Sequence, residues 1–221
     1  MKRNQQGFTL VEIAIVLVII GLLLGGILKG QEMITQAKIK NVVADFSGIS
    51  AAYYGYQDRY RAIPGDDSGA AARWLTPTVA TSGNGNGVVA GTYNNGGAAC
   101  AVAVESCSWW DHLRRAGFVA GSGVLQPFNA VTGVLGVQTG DGAVVTGPAL
   151  GGFSGLIICS AGLPDKIAIA VDTQMDDGLV GTGTVRGQKH TAGPNPTINA
   201  AADVTGYIES GTNVYTLCRA L

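Results

Sequence analysis

From Phe8 to Leu28 the chain reads FTLVEIAIVLVIIGLLLGGIL, 21 residues in which Glu12 is the single charge. As a helix rising about 1.5 Å per residue, this run covers roughly 30 Å, the hydrocarbon thickness of a bilayer. Lys2 and Arg3 precede it with no acid between them, so the positive flank predicts a cytoplasmic N-terminus and everything after Leu28 outside. The run is longer than a secretory h-region, and no small-x-small site closes it, so any cut is expected before the span rather than after it. Glu12 is the anomaly. A carboxylate within a span costs about 2.5–3.5 kcal/mol on insertion scales, and less near an interface, so it needs a partner. Thr9-x-x-Glu12 supplies a local one, because it fits a capping box and places an acid in the first helical turn.

Past the span the pattern becomes one-sided. Val42, Phe46, Ile49, Tyr53, Tyr56 and Tyr60 recur at alternating fours and threes, the stripe of an amphipathic helix. Lys38, Lys40, Asp45, Gln57 and Asp58 fall mostly off it. One helix is therefore expected from near Phe8 to about Tyr60, stopping before Pro64-Gly65 and covering roughly 80 Å if straight. The tyrosines at helical spacing read as core packing rather than an electron path, since such rings bury one face and keep the hydroxyl wet.

Residues 61–221 are the size of one ordinary domain. Glycine, 34 of 221 residues, is about twice as common as usual, which predicts a head rich in turns. Ile63-Pro64-Gly65-Asp66-Asp67 is a turn ending the long helix. Residues 83–97 are a loop without a phosphate cradle. Ser108–Phe118 reads as a short helix capped by Ser108, with Trp109, Leu113 and Ala116 on one face and Gly117 closing it. Its Arg114 and Arg115 are expected to be solvated surface; the rival reading makes them, with Trp110, a binding patch. Strands are expected at Val131–Val137, Gly142–Val145, Gly155–Cys159 and Asn213–Leu217. Leu163–Gly178 alternates like a strand at Ile167, Ile169 and Val171, yet Pro164 at the start and Ile167, Val171 and Met175 at fours favour a helix. The fold class is α+β, a long helix lying on a small antiparallel sheet.

The net charge of −1 excludes a strongly basic nucleic-acid binder. Cys100, Cys107, Cys159 and Cys218 lie in an exported segment, which favours disulfides over metal ligation. Three pairings are possible; the economical one joins Cys100 to Cys107 locally and Cys159 to Cys218 across the domain. Zinc lacks a CxxC, and His112 and His190 are the only histidines. Catalysis lacks convergent groups, and GGFSG misses the G-x-S-x-G spacing, so a membrane-tethered enzyme is disfavoured.

Gly7-Phe8-Thr9-Leu10-Val11-Glu12, behind a short basic leader and ahead of an unbroken apolar span, resembles the prepilin motif of type IV pilins and of type II secretion pseudopilins. The resemblance covers the first thirty or so residues. It implies cleavage after Gly7 by a prepilin peptidase and N-methylation of Phe8, so that the domains are leader 1–7, spine helix 8–60 with 8–28 transmembrane, and pilin-like head 61–221. It also implies that Glu12 meets the cationic amine of Phe8 on a neighbouring subunit during assembly. Where many major pilins carry a proline along the mature helix this chain has Lys29, with Gly21, Gly25 and Gly26 as softer points. The implied partners are other filament subunits, the peptidase, inner-membrane assembly machinery and the bilayer. The implied location is the bacterial inner membrane, then an extracellular pilus or periplasmic pseudopilus. The expected role is a pilus subunit, major or minor, acting in motility or cell adhesion; the alternatives are a secretion pseudopilin and a pilin with an adhesive or DNA-uptake head.

No cofactor is expected, except that some pseudopilins bind calcium in a C-terminal loop. Asp172, Asp176 and Asp177 are the oxygen cluster that could do so here. DTQMDDG lacks the alternating register of a calcium loop, so hydrogen bonding within a turn is the preferred reading. Asp66 and Asp67 are further ligands only if the fold brings them near.

Overall fold

The computed structural model describes residues 9–95, 104–140, 150–190, 195–198 and 205–221. Helix α1 spans Leu10–Tyr60. The chain divides into two compact units inside this helix, Met1–Lys38 and Ile39–Leu221. In the first unit the apolar side chains of Leu10–Leu28 are exposed, and a window of mean hydropathy 2.8 has none of its residues buried.

In the second unit the expected stripe is the buried face of α1. Val42, Phe46, Ile49, Tyr53 and Tyr56 are buried, joined by Ile39 and Ala52, and Tyr60 packs half-buried at the end. The helix stops at Arg61, which turns left-handed with φ 55°. A short helix, α2, follows at Ala70–Arg73, and α3 occupies Glu105–Arg115.

Strands β1 (Leu135–Thr139), β2 (Leu156–Pro164), β3 (Val185–Lys189) and β4 (Val214–Ala220) form one antiparallel sheet in the order β1-β2-β4-β3. Helix α4, Asp165–Met175, follows β2 directly. Side chains alternate across the sheet as the two-residue period requires. Ile158 and Leu163 of β2 and Tyr215 and Leu217 of β4 join α1, Trp109, Leu113 and Val171 in one core. Ile157, Cys159 and Ala161, with Cys218, form a second core with Tyr93, Leu150 and Phe153. Both faces are thus covered, one by helices and the other by glycine-rich connections. Gly136 shows how tightly the second cover fits: a Cβ there would lie 1.9 Å from the Tyr93 carbonyl oxygen.

Several expectations change, and one is untested. The strand expected at 131–137 begins at Leu135, because Asn129 Oδ1 accepts the N–H groups of Val131 and Gly133 and Thr132 is left-handed, which makes a turn of the first half. The strand expected at 142–145 lies outside the described residues. β3, unforeseen, reads VRGQK; it is polar because it is a sheet edge. Helix α3 begins at Glu105, not at Ser108. Val104 holds the cap position, and the Glu105 carboxylate in the first turn accepts the N–H groups of Asn84 and Ala90 at 3.2 and 2.8 Å, which leaves Ser108 buried within the helix. The same helix ends at Arg115 rather than Phe118, because the Phe118 N–H returns to the Leu113 carbonyl at 2.9 Å around Gly117, whose φ is +81°. The 163–178 segment is helical between Asp165 and Met175, while Pro164 ends β2 and sits at the N-cap.

Candidate assembly site

At the start of α1, Thr9 and Glu12 bond reciprocally. Glu12 Oε2 accepts the Thr9 N–H at 2.8 Å and the Thr9 hydroxyl at 2.7 Å, while the Glu12 N–H donates to Thr9 Oγ1 at 3.3 Å. This is the capping box read from the sequence. The carboxylate is engaged from one side while remaining exposed, so it stays open to a second, cationic partner. Gly7 and Phe8, the expected processing residues, lie outside the described residues. Around and behind Glu12 every large apolar side chain up to Leu28 is solvent-facing in the single chain, from Leu10 at 86% to Leu28 at 66%. An apolar surface of this kind is stable only against lipid or other protein.

The remaining sequence-selected residues lie in the second unit. A disulfide joins Cys159 and Cys218, which face each other directly across β2 and β4 with Cα atoms 4.0 Å apart. Cys107 is buried and is not free; its expected partner Cys100 lies outside the described residues. Oxygens of Asp172, Asp176 and Asp177 come within 4.8 Å of one another, and several of them meet protein donors. Asp176 Oδ2 accepts the N–H groups of Thr184 and Val185. Asp177 accepts the Leu179 N–H at 2.8 Å and the Thr182 hydroxyl at 2.6 Å. Asp172 Oδ2 accepts the Tyr207 hydroxyl at 2.5 Å. Calcium wants six to eight oxygens, whereas these neighbours offer hydrogens; Asp172 Oδ1 alone of the Asp172 pair is buried without a hydrogen-bond partner.

Asp66 and Asp67 do not join that cluster. Asp66 is wrapped by the loop after Gly83, accepting N–H groups from Gly85 at 2.6 Å and Gly87 at 2.7 Å. Asp67 accepts the Tyr56 hydroxyl and the Arg73 guanidinium, both at 2.6 Å. These bonds hold the Asp67 carboxyl below the usual carboxylate range in spite of its burial, which acts the other way. The turn IPGDD therefore anchors the outer end of α1. Gly65 fits because its φ is +84° and a Cβ would lie 2.4 Å from the Glu105 carbonyl oxygen. His112 completes the anchor, and its part was not foreseen. Its Nδ1 accepts the Gly65 N–H at 2.9 Å, so Nε2 carries the hydrogen and donates to the Thr81 carbonyl at 2.7 Å. A histidine two residues after a Trp-Trp pair in a helix was the available signal, but its partners are 47 and 31 residues away.

The patch suggested by Trp110, Arg114 and Arg115 does not exist as such, because Trp110 is fully buried. Nor are the arginines merely solvated. Arg115 pairs with Asp111 at 2.6 Å and donates to the Thr78 carbonyl at 2.8 Å, and Arg114 donates to the Gly123 carbonyl at 2.7 Å.

Comparison with known proteins finds one family model, the prokaryotic N-terminal methylation motif, at residues 2–28. No curated protein and no solved structure matches the chain. The matched segment holds Lys2, Arg3, Gly7, Phe8, the Thr9–Glu12 cap and the whole apolar run. By these residues the chain carries the signature of type IV pilin and pseudopilin precursors.

Proposed function

We propose that this protein is the precursor of a structural subunit of a bacterial type IV pilus-like filament. Prepilin peptidase cuts after Gly7, Phe8 is N-methylated, and the leader leaves with Lys2 and Arg3. The subunit waits in the inner membrane through Phe8–Leu28 and enters the filament by exchanging lipid for the same span of its neighbours. The observation that carries this reading is the methylation motif at residues 2–28 joined to an exposed, capped Glu12 at the head of an entirely exposed apolar run. Lipid and neighbouring helices are equally apolar, so packing gives association but little register. Glu12 supplies register, because a carboxylate in that setting gains most where it meets the amine created by cleavage. The glycine-rich head and its disulfide favour a pilus over a secretion pseudopilus.

Intact mass measured from cells with and without the peptidase tests the proposal. The expected mature chain begins at methylated Phe8; a chain that keeps its first seven residues in competent cells overturns it. Glu12→Ala is expected to leave the head folded while lowering filament incorporation at least tenfold, and normal incorporation would confine Glu12 to capping.

A further inference from the structure

Beside the last turn of α3 the head holds a cavity of about 460 Å³, within the range of small-molecule sites. Its walls are the loops at Thr76–Thr78 and Gly121–Gly123, and its base is formed by Asp111, Arg114 and Arg115, with the Trp74 ring on one side. The two arginines hold the walls in place. Arg115 joins the first loop through the Thr78 carbonyl and hydroxyl at 2.8 and 3.1 Å, and Arg114 joins the second through the carbonyls of Ala120 and Gly123 at 3.3 and 2.7 Å. The cavity is therefore preformed, and a ligand need not order it.

The two charges differ in kind. Arg115 is neutralised by Asp111 at 2.6 Å. Arg114 is half-buried, its hydrogen bonds run to neutral carbonyls, and among the described residues it has no acidic partner within ion-pair distance. The lining thus keeps one uncompensated positive charge in a partly dry setting, where an anion gains more than in water. Trp74 offers a part-exposed aromatic wall, stiffened by an edge-to-face contact with Tyr60 at 5.5 Å, by His112 at 5.9 Å and by the Arg73 guanidinium over its ring at 5.0 Å. Thr76 and Ser122 bring exposed hydroxyls to opposite rims.

We propose that this cavity binds an acidic saccharide. Its carboxylate lies on Arg114, its C–H face packs on Trp74, and its hydroxyls bond to Asp111, Thr76 and Ser122. A bare inorganic anion would use neither the indole nor the Asp111 carboxylate, which repels it. A neutral sugar would leave Arg114 without a counter-charge. A nucleic-acid strand would bring its phosphates against the Asp111 carboxylate. The inference concerns the head alone and goes beyond assembly.

The test uses the full chain in amine-oxide detergent micelles, whose head group is not a sugar. Methyl β-glucuronide, methyl β-glucoside and sodium sulfate are titrated at millimolar concentration and followed by saturation-transfer NMR. Saturation of the glucuronide is expected, with the glucoside at least tenfold weaker and no displacement by equimolar sulfate. Arg114→Gln is expected to weaken the glucuronide at least tenfold. Arg114 also holds a loop, so Ser122→Tyr is the second variant: Ser122 is exposed, and the new ring fills the mouth, so binding is expected to vanish at an unchanged melting temperature. No glucuronide saturation, equal binding of the glucoside, displacement by sulfate, or a Ser122→Tyr protein that binds as before each overturns the proposal. None of these outcomes bears on leader cleavage or filament entry, which fail separately.

Discussion

His112 and Asp172 are buried groups that make the head sensitive to mild acid, and they act in opposite directions. Burial pushes the His112 imidazole below its usual value, while the Thr81 carbonyl and the nearby Asp67 and Asp111 carboxylates oppose this only in part. The unfolded chain therefore takes up the proton first, and the stability that neutral His112 contributes is lost as pH falls below about 6.5. Burial, aided by Asp177 and Asp176, pushes Asp172 up to about 6 despite the Tyr207 hydrogen bond. Here the folded chain holds the proton more tightly, so stability is greatest at low pH and declines as pH rises through about 6. Thermal melts between about pH 4.5 and 7 are expected to be shallow for the parent protein, because the two slopes oppose each other. Asp172→Asn should expose a melting temperature that falls on acidification, and His112→Gln one that rises. Circular dichroism in EDTA measures both, and calcium in place of EDTA is expected to leave the parent midpoint unchanged, since Asp172 Oδ2, Asp176 Oδ2 and both Asp177 oxygens are engaged by protein donors.

At the scale of elements, α1 does two unlike jobs along one helix. From Ile39 onward it is a core element with apolar positions on one face. Up to Leu28 it is apolar all round apart from Glu12, as a span must be. Phe46 is fully buried, so Phe46→Ala is expected to destabilise the head by about 3–5 kcal/mol. Leu17 is 64% exposed, so Leu17→Ala should leave head stability within about 0.5 kcal/mol. Chemical denaturation of both variants decides whether the change of role falls where the two compact units divide. The same helix shows why some elements were legible and others were not. A stripe of six residues at helical spacing is a strong local signal, and its burial followed. β3 carried no such signal, because VRGQK owes its strand to pairing with β4, where Gly187 lies opposite Leu217.

For the molecule as a whole, the Cys159–Cys218 bridge closes a 59-residue separation and ties together β2 and β4, the two central strands. Replacing both cysteines with alanine is expected to cost the head about 2–5 kcal/mol, measured as a shift in urea midpoint at constant m. A shift below that range would mean that the ladder between β2 and β4 suffices by itself. Local chemistry written in neighbouring residues was enough for the span, the Thr9–Glu12 cap, the amphipathic stripe and the helix after Pro164, because each rests on contacts within a turn or two of helix. The Cys159–Cys218 half of the economical pairing was legible for a related reason, since each of these cysteines ends a strand-like apolar run. Tertiary structure alone decided that His112 bonds Gly65 and Thr81, that Asp66 gathers the loop at 85–87, and that Arg114 and Arg115 frame a cavity rather than a surface patch. Those partners are separated by tens of residues or set by the exact start of a helix, and distance along a chain carries no direction in space until the sheet has folded.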